Sequence, residues 1–553
     1  MPHSGRRRMG PVDSLWLTMD RPDNLMVIVS LMFLESVPDW DEVARLLRDR
    51  IIGRYPVFSQ RPVASWLPAG LLPGPLRRVP GRLPTAMAGA VPLVLGAWED
   101  DPAFSLDRHL RRTTLPSPGD DAALQAYIET HLHRPLDRVH PLWEAHLIDG
   151  YGSGAVVLTR VHHALADGIA LTRVLLSLTD GQPDADGQPD ADGQPGAHGE
   201  PSLDGQGGAD GEPGPDGQPG LDGQGGADGQ GGADGPTADV AHPEGLEGLS
   251  HGEAGLGAVL ATGMAGISLA RNGIRRVRHL ARPSGVLEAL ALGVRTSEVV
   301  ADVLLTRTPD SALGGVPGPR KRVVWTAPLP LADLKTAGRG TGATLNDVLV
   351  SALAGALHRY QAERGETPVD LVTMVPVNVR PPDEPLGAEL GNRFALVFLT
   401  LPSGTPDPRD RLVSAKRRMD WLKSSPEAAI TFGLITAIGL APRVAERAIV
   451  DFFANKAIGV TTNVAGPRLP RYLAGVPVTG MLGWVPGSGR HTVGACVFTY
   501  AGAVRVGFLV DATVIVDPEN LLRAFEDEVA ALTSAVSGTG GRDAGAASRT
   551  GSA

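Results

Sequence analysis

Thr159-Arg160-Val161-His162-His163-Ala164-Leu165-Ala166-Asp167-Gly168-Ile169-Ala170 joins a run of strand character, residues 155–161, to a run of helix character, residues 169–179. Two histidines, an aspartate and a glycine therefore fall at an element junction, where catalytic groups are often presented. A shorter strand pattern at 145–148 precedes them across the glycine-rich stretch 150–154, which predicts a hairpin that delivers the histidines. Side chains alternate across a strand, so His162 and His163 point to opposite faces, and only one readily enters a shared cleft. A neutral imidazole with a pKa near ~6.5 is the usual base for taking a proton from a hydroxyl at neutral pH. Asp167 can orient the ring or hold the turn by charge-assisted bonding. Gly168 permits a close backbone approach or a positive φ at the helix start.

Outward from this junction, the nearly continuous apolar run at 25–34 has the pattern of a strand buried on both faces. Helices are expected from Asp39, with Val43, Leu46, Leu47 and Ile51 at helical spacing, and over 121–133, with Leu124, Tyr127, Ile128 and Leu132 on one stripe. Between 56 and 118 the chain is dense in Pro, Gly and Arg, and no order of elements is read there. In the second half a strand is expected at 322–327. Thr344 as N-cap with Asp347 at N3 then starts a helix through Val348, Leu349, Leu353 and Leu357. Strands follow at 371–379, 394–401 and 457–463, then a hairpin of 492–500 with 504–510, then a closing helix over 518–536. Asn378, Arg380, Asn392 and Arg393 flank two of these strands and are read as solvated loop ends in preference to a channel or phosphate site. Each half mixes strands and helices, which points to two α/β layers facing each other.

At 553 residues the chain exceeds what one hydrophobic core usually spans, about 250–300 residues. The expected division is a unit over 1–179, a Gly/Asp/Gln/Pro-rich insertion over 180–250, a helical linker over 251–318, a second unit over 319–536 and a small polar tail over 537–553. Glycine recurs at every third position from Gly205 to Gly235, but a solvated linker explains that block better than a collagen-like trimer. Two helices, 254–282 and 286–305, are expected after it. The arginines near 282 suit an anionic membrane surface or a CoA phosphate, although packing on the protein is the plainer account. A net charge of -10 leaves no nucleic-acid footprint. Cys496 is the one cysteine, so an intramolecular disulfide and a cysteine-built metal site are excluded, and no metal is expected. No secretory signal or span of ~18 apolar residues is read, which suits a soluble or peripheral cytoplasmic protein.

His162-His163-Ala164-Leu165-Ala166-Asp167-Gly168 resembles the HHxxxDG motif of acyltransferases of the chloramphenicol-acetyltransferase-like superfamily, and most closely that of bacterial wax ester synthase/diacylglycerol acyltransferases. Val12-Asp13-Ser14-Leu15-Trp16, Pro141-Leu142-Trp143-Glu144, Asn346-Asp347 and Thr462-Asn463-Val464-Ala465-Gly466-Pro467 agree with it in order. The family usually has Ser-Asn-Val-Pro-Gly-Pro at the last place, so Thr462 and Ala465 depart from the pattern. The resemblance implies two chloramphenicol-acetyltransferase-like domains, each a mixed sheet with flanking helices, and an active-site channel between them. It further implies acyl-CoA as co-substrate, no cofactor, a diacylglycerol or fatty alcohol as acceptor, and a peripheral place at the inner membrane face or on lipid inclusions. His163 would be the catalytic base, with His162, Asp167 and Gly168 as supporting motif residues. Asn463, Thr462 and Trp143 are candidates for the oxyanion site or the substrate channel. Asn346 and Asp347 are read as structural, Asp347 through capping and Trp143 equally well as core. Two rival readings use the same residues: a carrier-protein-dependent condensation enzyme, and a non-catalytic lipid-binding protein. His162 with Asp167 also spells HxxxxD, the scheme in which the first histidine acts.

Overall fold

The computed structural model describes residues 6–66, 94–181, 308–380, 384–425, 431, 435 and 450–537. Its first half runs β1 (Arg7–Arg8), α1 (Pro11–Met19), β2 (Val27–Leu34), α2 (Trp40–Leu46), β3 (Gln60–Trp66), β4 (Val94–Asp100), α3 (Leu106–His109), β5 (Leu110–Thr114), α4 (Asp121–Leu132), β6 (Trp143–Tyr151), β7 (Gly154–His162) and α5 (Gly168–Leu176). The second half begins β8 (Lys321–Trp325), β9 (Leu329–Pro330), α6 (Leu331–Arg339), α7 (Leu345–Glu363), β10 (Leu371–Asn378), β11 (Phe394–Leu401) and α8 (Pro408–Ser424). It ends β12 (Gly459–Ala465), β13 (Tyr472–Leu473), β14 (Val476–Trp484), β15 (Val493–Tyr500), β16 (Ala503–Asp511) and α9 (Pro518–Ser537).

β2 shows why a run with so little polarity forms a strand here. Val27, Val29, Leu31 and Phe33 enter a core shared with Val323, Trp325, Leu482 and Trp484 of the second half. Ile28, Met32 and Leu34 enter a separate core with Val43, Trp98 and Val157. A strand buried on both faces needs no polar alternation. β6 and β7 form the expected antiparallel hairpin, with Trp143 opposite Val161, and β7 pairs on its other side with β2.

The two main sheets are both mixed, as expected. One has the order β13-β14-β2-β7-β6-β5, the other β11-β10-β12-β15-β16-β8, and a small third sheet joins β1, β4 and β3. The first of these takes the two strands at one edge, β13 and β14, from the second half of the chain: Met481 of β14 lies opposite Met32 and Leu482 opposite Leu31. Separating the halves would therefore break a ladder as well as a core. On the second sheet α7 and α9 pack through Leu353, Leu357, Tyr360, Phe525 and Phe508. Thr344 and Asp347 close the capping box at the start of α7: the Asp347 carboxylate accepts from the Thr344 N–H at 2.8 Å.

Sequence reading missed several parts of this framework, the helices α1 and α6 among them. The unread stretch 56–118 contributes β3, β4, α3 and β5. β14 carries Pro477, Gly480 and Gly483, which read as turn residues, yet it is buried between β2 and the second sheet. α8 is dominated by charge, and Leu412, Ala415 and Met419, with Leu422 half-buried beside them, form its narrow inward stripe. The expected helices at 254–282 and 286–305, the repeat beyond 181 and the tail beyond 537 lie outside the described residues. Among the described residues no helix is long and apolar enough to cross a membrane.

Candidate active site

The junction after β7 is held by backbone bonds on both sides. The His162 N–H donates to Leu142 O at 2.9 Å, and the His163 N–H to Met26 O at 2.7 Å. The two rings diverge, as alternation requires. His162 lies with Nε2 3.7 Å from Asp20 Oδ2, and its Nδ1 accepts the Ala164 N–H at 3.1 Å. His163 goes the other way and stacks on Trp16 of α1, ring centroids 4.1 Å apart at 17°. Phe394 stands 5.5 Å from the same ring. The Nδ1 of His163 meets Asn392 Oδ1 at 2.9 Å across the junction of the two halves.

Asp167 ties three segments together. Its Oδ1 accepts the Ala170 N–H at 2.9 Å as the N-cap of α5. Its Oδ2 accepts the Arg393 N–H at 3.0 Å and lies 2.6 Å from the Arg380 guanidinium. Arg380 also donates to Gly391 O at 2.9 Å. Residues 391–393 of the second half are thus fastened directly to the histidine loop. This corrects the reading of these residues as solvated loop ends. Asn392 is 7% exposed, the Arg380 side chain 7%, and Asn378 Oδ1 accepts the Arg380 N–H at 3.0 Å. A buried partner across the fold, invisible in local polarity, is the reason. Arg393 does fit the expectation, with an exposed side chain paired to Glu384 at 2.5 Å.

Burial dominates the electrostatics. It pushes the His163 imidazole down to about 4, against the nearby Asp167 charge and hydrogen bonds to its own carbonyl and to Asn392. Burial likewise lowers His162, with Asp20 opposing. Both rings are therefore neutral at pH 7. The Asp13 carboxyl is pushed up to about 6 by burial, while donors from Asn392 and Gly10 and the charge of Arg7 hold it from rising further.

These shifts set an acid limit on stability. His163 and His491, the latter also lowered to about 4 by burial, stay neutral in the fold while the unfolded chain protonates near ~6.5. Between those values the unfolded state binds more protons, so stability falls as pH falls, by about 2 kcal/mol for each ring at pH 5. Asp13 works in the opposite sense and returns about 1 kcal/mol over the same interval. The melting temperature is expected to drop between pH 7 and pH 5, and His491→Phe should shrink the drop. Equal or higher melting temperature at pH 5 would contradict this balance.

The remaining expected site residues are placed as follows. Trp143 is buried, donates Nε1–H to Phe58 O at 2.8 Å and stacks on His109 at 4.7 Å. Asn463 is exposed on β12, and its amide N–H donates to Asn346 Oδ1, so the two asparagine motifs meet each other. Thr462 is buried opposite Cys496 of β15. Asp347 is fully buried in its capping box. Gly168 has neither a positive φ nor a close backbone neighbour: a Cβ there would meet open space, since the residue is simply the first of α5. That overturns the conformational argument for it. The structure adds Asp13, Trp16 and Asn392 to the site. The Asp13 to Trp16 stretch carried a family resemblance but no chemistry, and nothing near Asn392 in the chain pointed to His163.

Two family models match the chain in order. The wax ester synthase/diacylglycerol acyltransferase catalytic domain matches residues 82–219, and the WS/DGAT C-terminal domain matches residues 390–533. A Mycobacterium tuberculosis (strain H37Rv) protein described as a probable diacylglycerol O-acyltransferase is 28% identical over 463 residues, covering 80% of this chain and 83% of its own. The solved wax ester synthase/diacylglycerol acyltransferase of Marinobacter aquaeolei VT8 superposes with a TM-score of 0.57 at 20% identity, covering 96% of this chain and all of that one. The first condensation domain of the calcium-dependent antibiotic synthetase gives a TM-score of 0.51 at 15% identity, with 96% of each chain covered, which is a likeness of fold. With both domain models met in sequence, and with the histidine motif set where the two halves join, this chain belongs to the wax ester synthase/diacylglycerol acyltransferase family of acyltransferases.

Proposed function

We propose that the protein is an acyl-CoA-dependent O-acyltransferase that esterifies diacylglycerol, long-chain fatty alcohols or both, with His163 as general base. The observation that carries this reading is the His163 ring itself. It is neutral at physiological pH, is bonded through Nδ1 to Asn392, and therefore has Nε2 for a proton from an incoming hydroxyl. In the reaction Nε2 takes that proton while the hydroxyl oxygen attacks the thioester carbonyl. The tetrahedral intermediate then expels the CoA thiolate, to which the imidazolium returns the proton, leaving ester and free CoA. No acyl-enzyme is required. Both acceptors are apolar bodies with one reacting hydroxyl, so the protein is proposed to work peripherally, on the cytoplasmic face of a membrane or on a lipid inclusion.

The test is purified protein with labelled palmitoyl-CoA and either hexadecanol or diacylglycerol, with the ester products resolved by chromatography. Ester with at least one acceptor is the expected result, and none with either would overturn the reading. Transfer from a carrier-protein-bound thioester but not from CoA would instead assign a condensation-type donor.

A further inference from the structure

We propose that Asn392, held by the Asp13 carboxylate, locks His163 in the tautomer that carries its proton on Nδ1 and leaves Nε2 unprotonated. The inference rests on the general-base reading above and names the groups that set the base. Asn392 has two ends, and the structure assigns each. Its Oδ1 faces His163 Nδ1 at 2.9 Å; its Nδ2 faces Asp13 Oδ1 at 2.8 Å and the His163 carbonyl oxygen at 2.8 Å.

The reverse orientation of the amide would aim Oδ1 at a carboxylate and a carbonyl, two acceptors with no hydrogen to share. Burial makes such mismatches costly, about 1–3 kcal/mol for each unsatisfied group. The amide is therefore fixed by its Nδ2 side. With Oδ1 turned to the ring, Nδ1 must be the donor, and a neutral imidazole carries only one N–H. Nε2 keeps its lone pair. The first histidine of the motif behaves in the opposite way: His162 Nδ1 accepts from the Ala164 N–H, so its proton sits on Nε2 facing Asp20.

Asp13 is built for this task. Its Oδ1 also accepts the Asn392 backbone N–H at 2.9 Å, and its Oδ2 the Gly10 N–H at 3.3 Å. An ionised carboxylate only accepts, which is what forbids the reversed amide. The charged groups around the pair are Arg7 near Asp13, and Asp167 with Arg380 around the ring, where His162 is a further titratable neighbour. Trp16, three residues after Asp13 on α1, stacks on the imidazole, so one helix supplies both the anchor of the amide and the floor of the ring. Asn392 and Asp13 are thus positioning residues. In the serine-protease triad, the wrong imidazole tautomer costs about 10⁴ in kcat. Here the stack on Trp16 still holds the ring in place when the amide is lost, so a smaller loss of about 10–100-fold is expected from Asn392→Ala.

Nitrogen-15 histidine spectra of the wild-type protein test the lock directly, with the ring signals absent from His163→Gln identifying His163. Protonated Nδ1 with pyridine-type Nε2 is expected at pH 7, and the reverse pattern would overturn the proposal. In kinetics, Asn392→Ala should lower kcat by about 10–100-fold with KM for acyl-CoA changed less than about threefold. Asn392→Asp combined with Asp13→Asn restores an acceptor at Nδ1 and a donor to hold it. That pair should recover most of the turnover and raise the acid limb of the pH profile by about one unit or more, because a carboxylate now touches the imidazolium. Wild-type turnover in Asn392→Ala would overturn the proposal, as would a paired variant that melts like wild type yet stays slow. A wild-type protein that makes no ester counts against the acyltransferase reading alone, since the spectra report the tautomer without turnover.

Discussion

His163→Ala is expected to lower kcat for ester formation by about 10²–10⁴-fold, the usual contribution of a positioned general base. The loss should fall on kcat, because the ring is 5% exposed and its removal changes the proton acceptor more than any binding surface. His162→Ala should behave differently. His162 is 1% exposed, and its Nδ1 is the acceptor for the Ala164 N–H, so the substitution opens a small cavity and leaves that N–H unpaired. A loss of about 1–3 kcal/mol in stability follows, with a smaller fall in turnover. Melting curves and initial rates of both variants with acyl-CoA and an alcohol separate the two schemes. If His162→Ala abolished turnover at wild-type stability while His163→Ala remained active, the first histidine would be the base.

Arg380→Met should destabilise the protein by about 3–5 kcal/mol, the cost of removing one partner from a buried ion pair. The Arg380 and Asp167 side chains are 7% and 5% exposed, and the charges are 2.6 Å apart. Without Arg380, Asp167 keeps only backbone donors, from Ala170 and Arg393, for a full charge away from water. The loop 391–393 also loses the bond from Arg380 to Gly391 O, so turnover should fall with stability. Adding Asp167→Asn to Arg380→Met removes the stranded charge while the amide oxygen can still cap α5. The double variant should therefore be more stable than Arg380→Met alone, as read by denaturant unfolding. If Arg380→Met melted like the wild type, Asp167 would not depend on this pair.

Much of the framework was legible because it is written in local pattern. The run at 25–34 has strand composition over its whole length, and Thr344 with Asp347 forms a cap whose partners are three residues apart. The hairpin bearing His162 and His163 follows from two apolar runs around glycines. Local pattern failed where a segment's environment comes from elsewhere. β14 is broken by Pro477, Gly480 and Gly483, and is a strand because β2, some 450 residues earlier, offers it an unpaired edge. α8 has too narrow an apolar stripe to stand out among its charges, and folds on the contacts it makes with α7 and β11.

The sequence by itself determined the class of fold and the motif, because strand alternation separates His162 from His163 and the order of motifs is a property of the chain. Tertiary structure decided how His163, the proposed base, is held. Asn392 reaches His163 across 229 residues of chain and Asp13 across 379. Arg380 finds Asp167 over a comparable distance, past the long insertion. Each of these groups is polar in a polar neighbourhood of sequence, so nothing nearby marks it. What assigns it is the cost of burying a donor, an acceptor or a charge without its complement, and that cost exists only once the two halves have closed on each other.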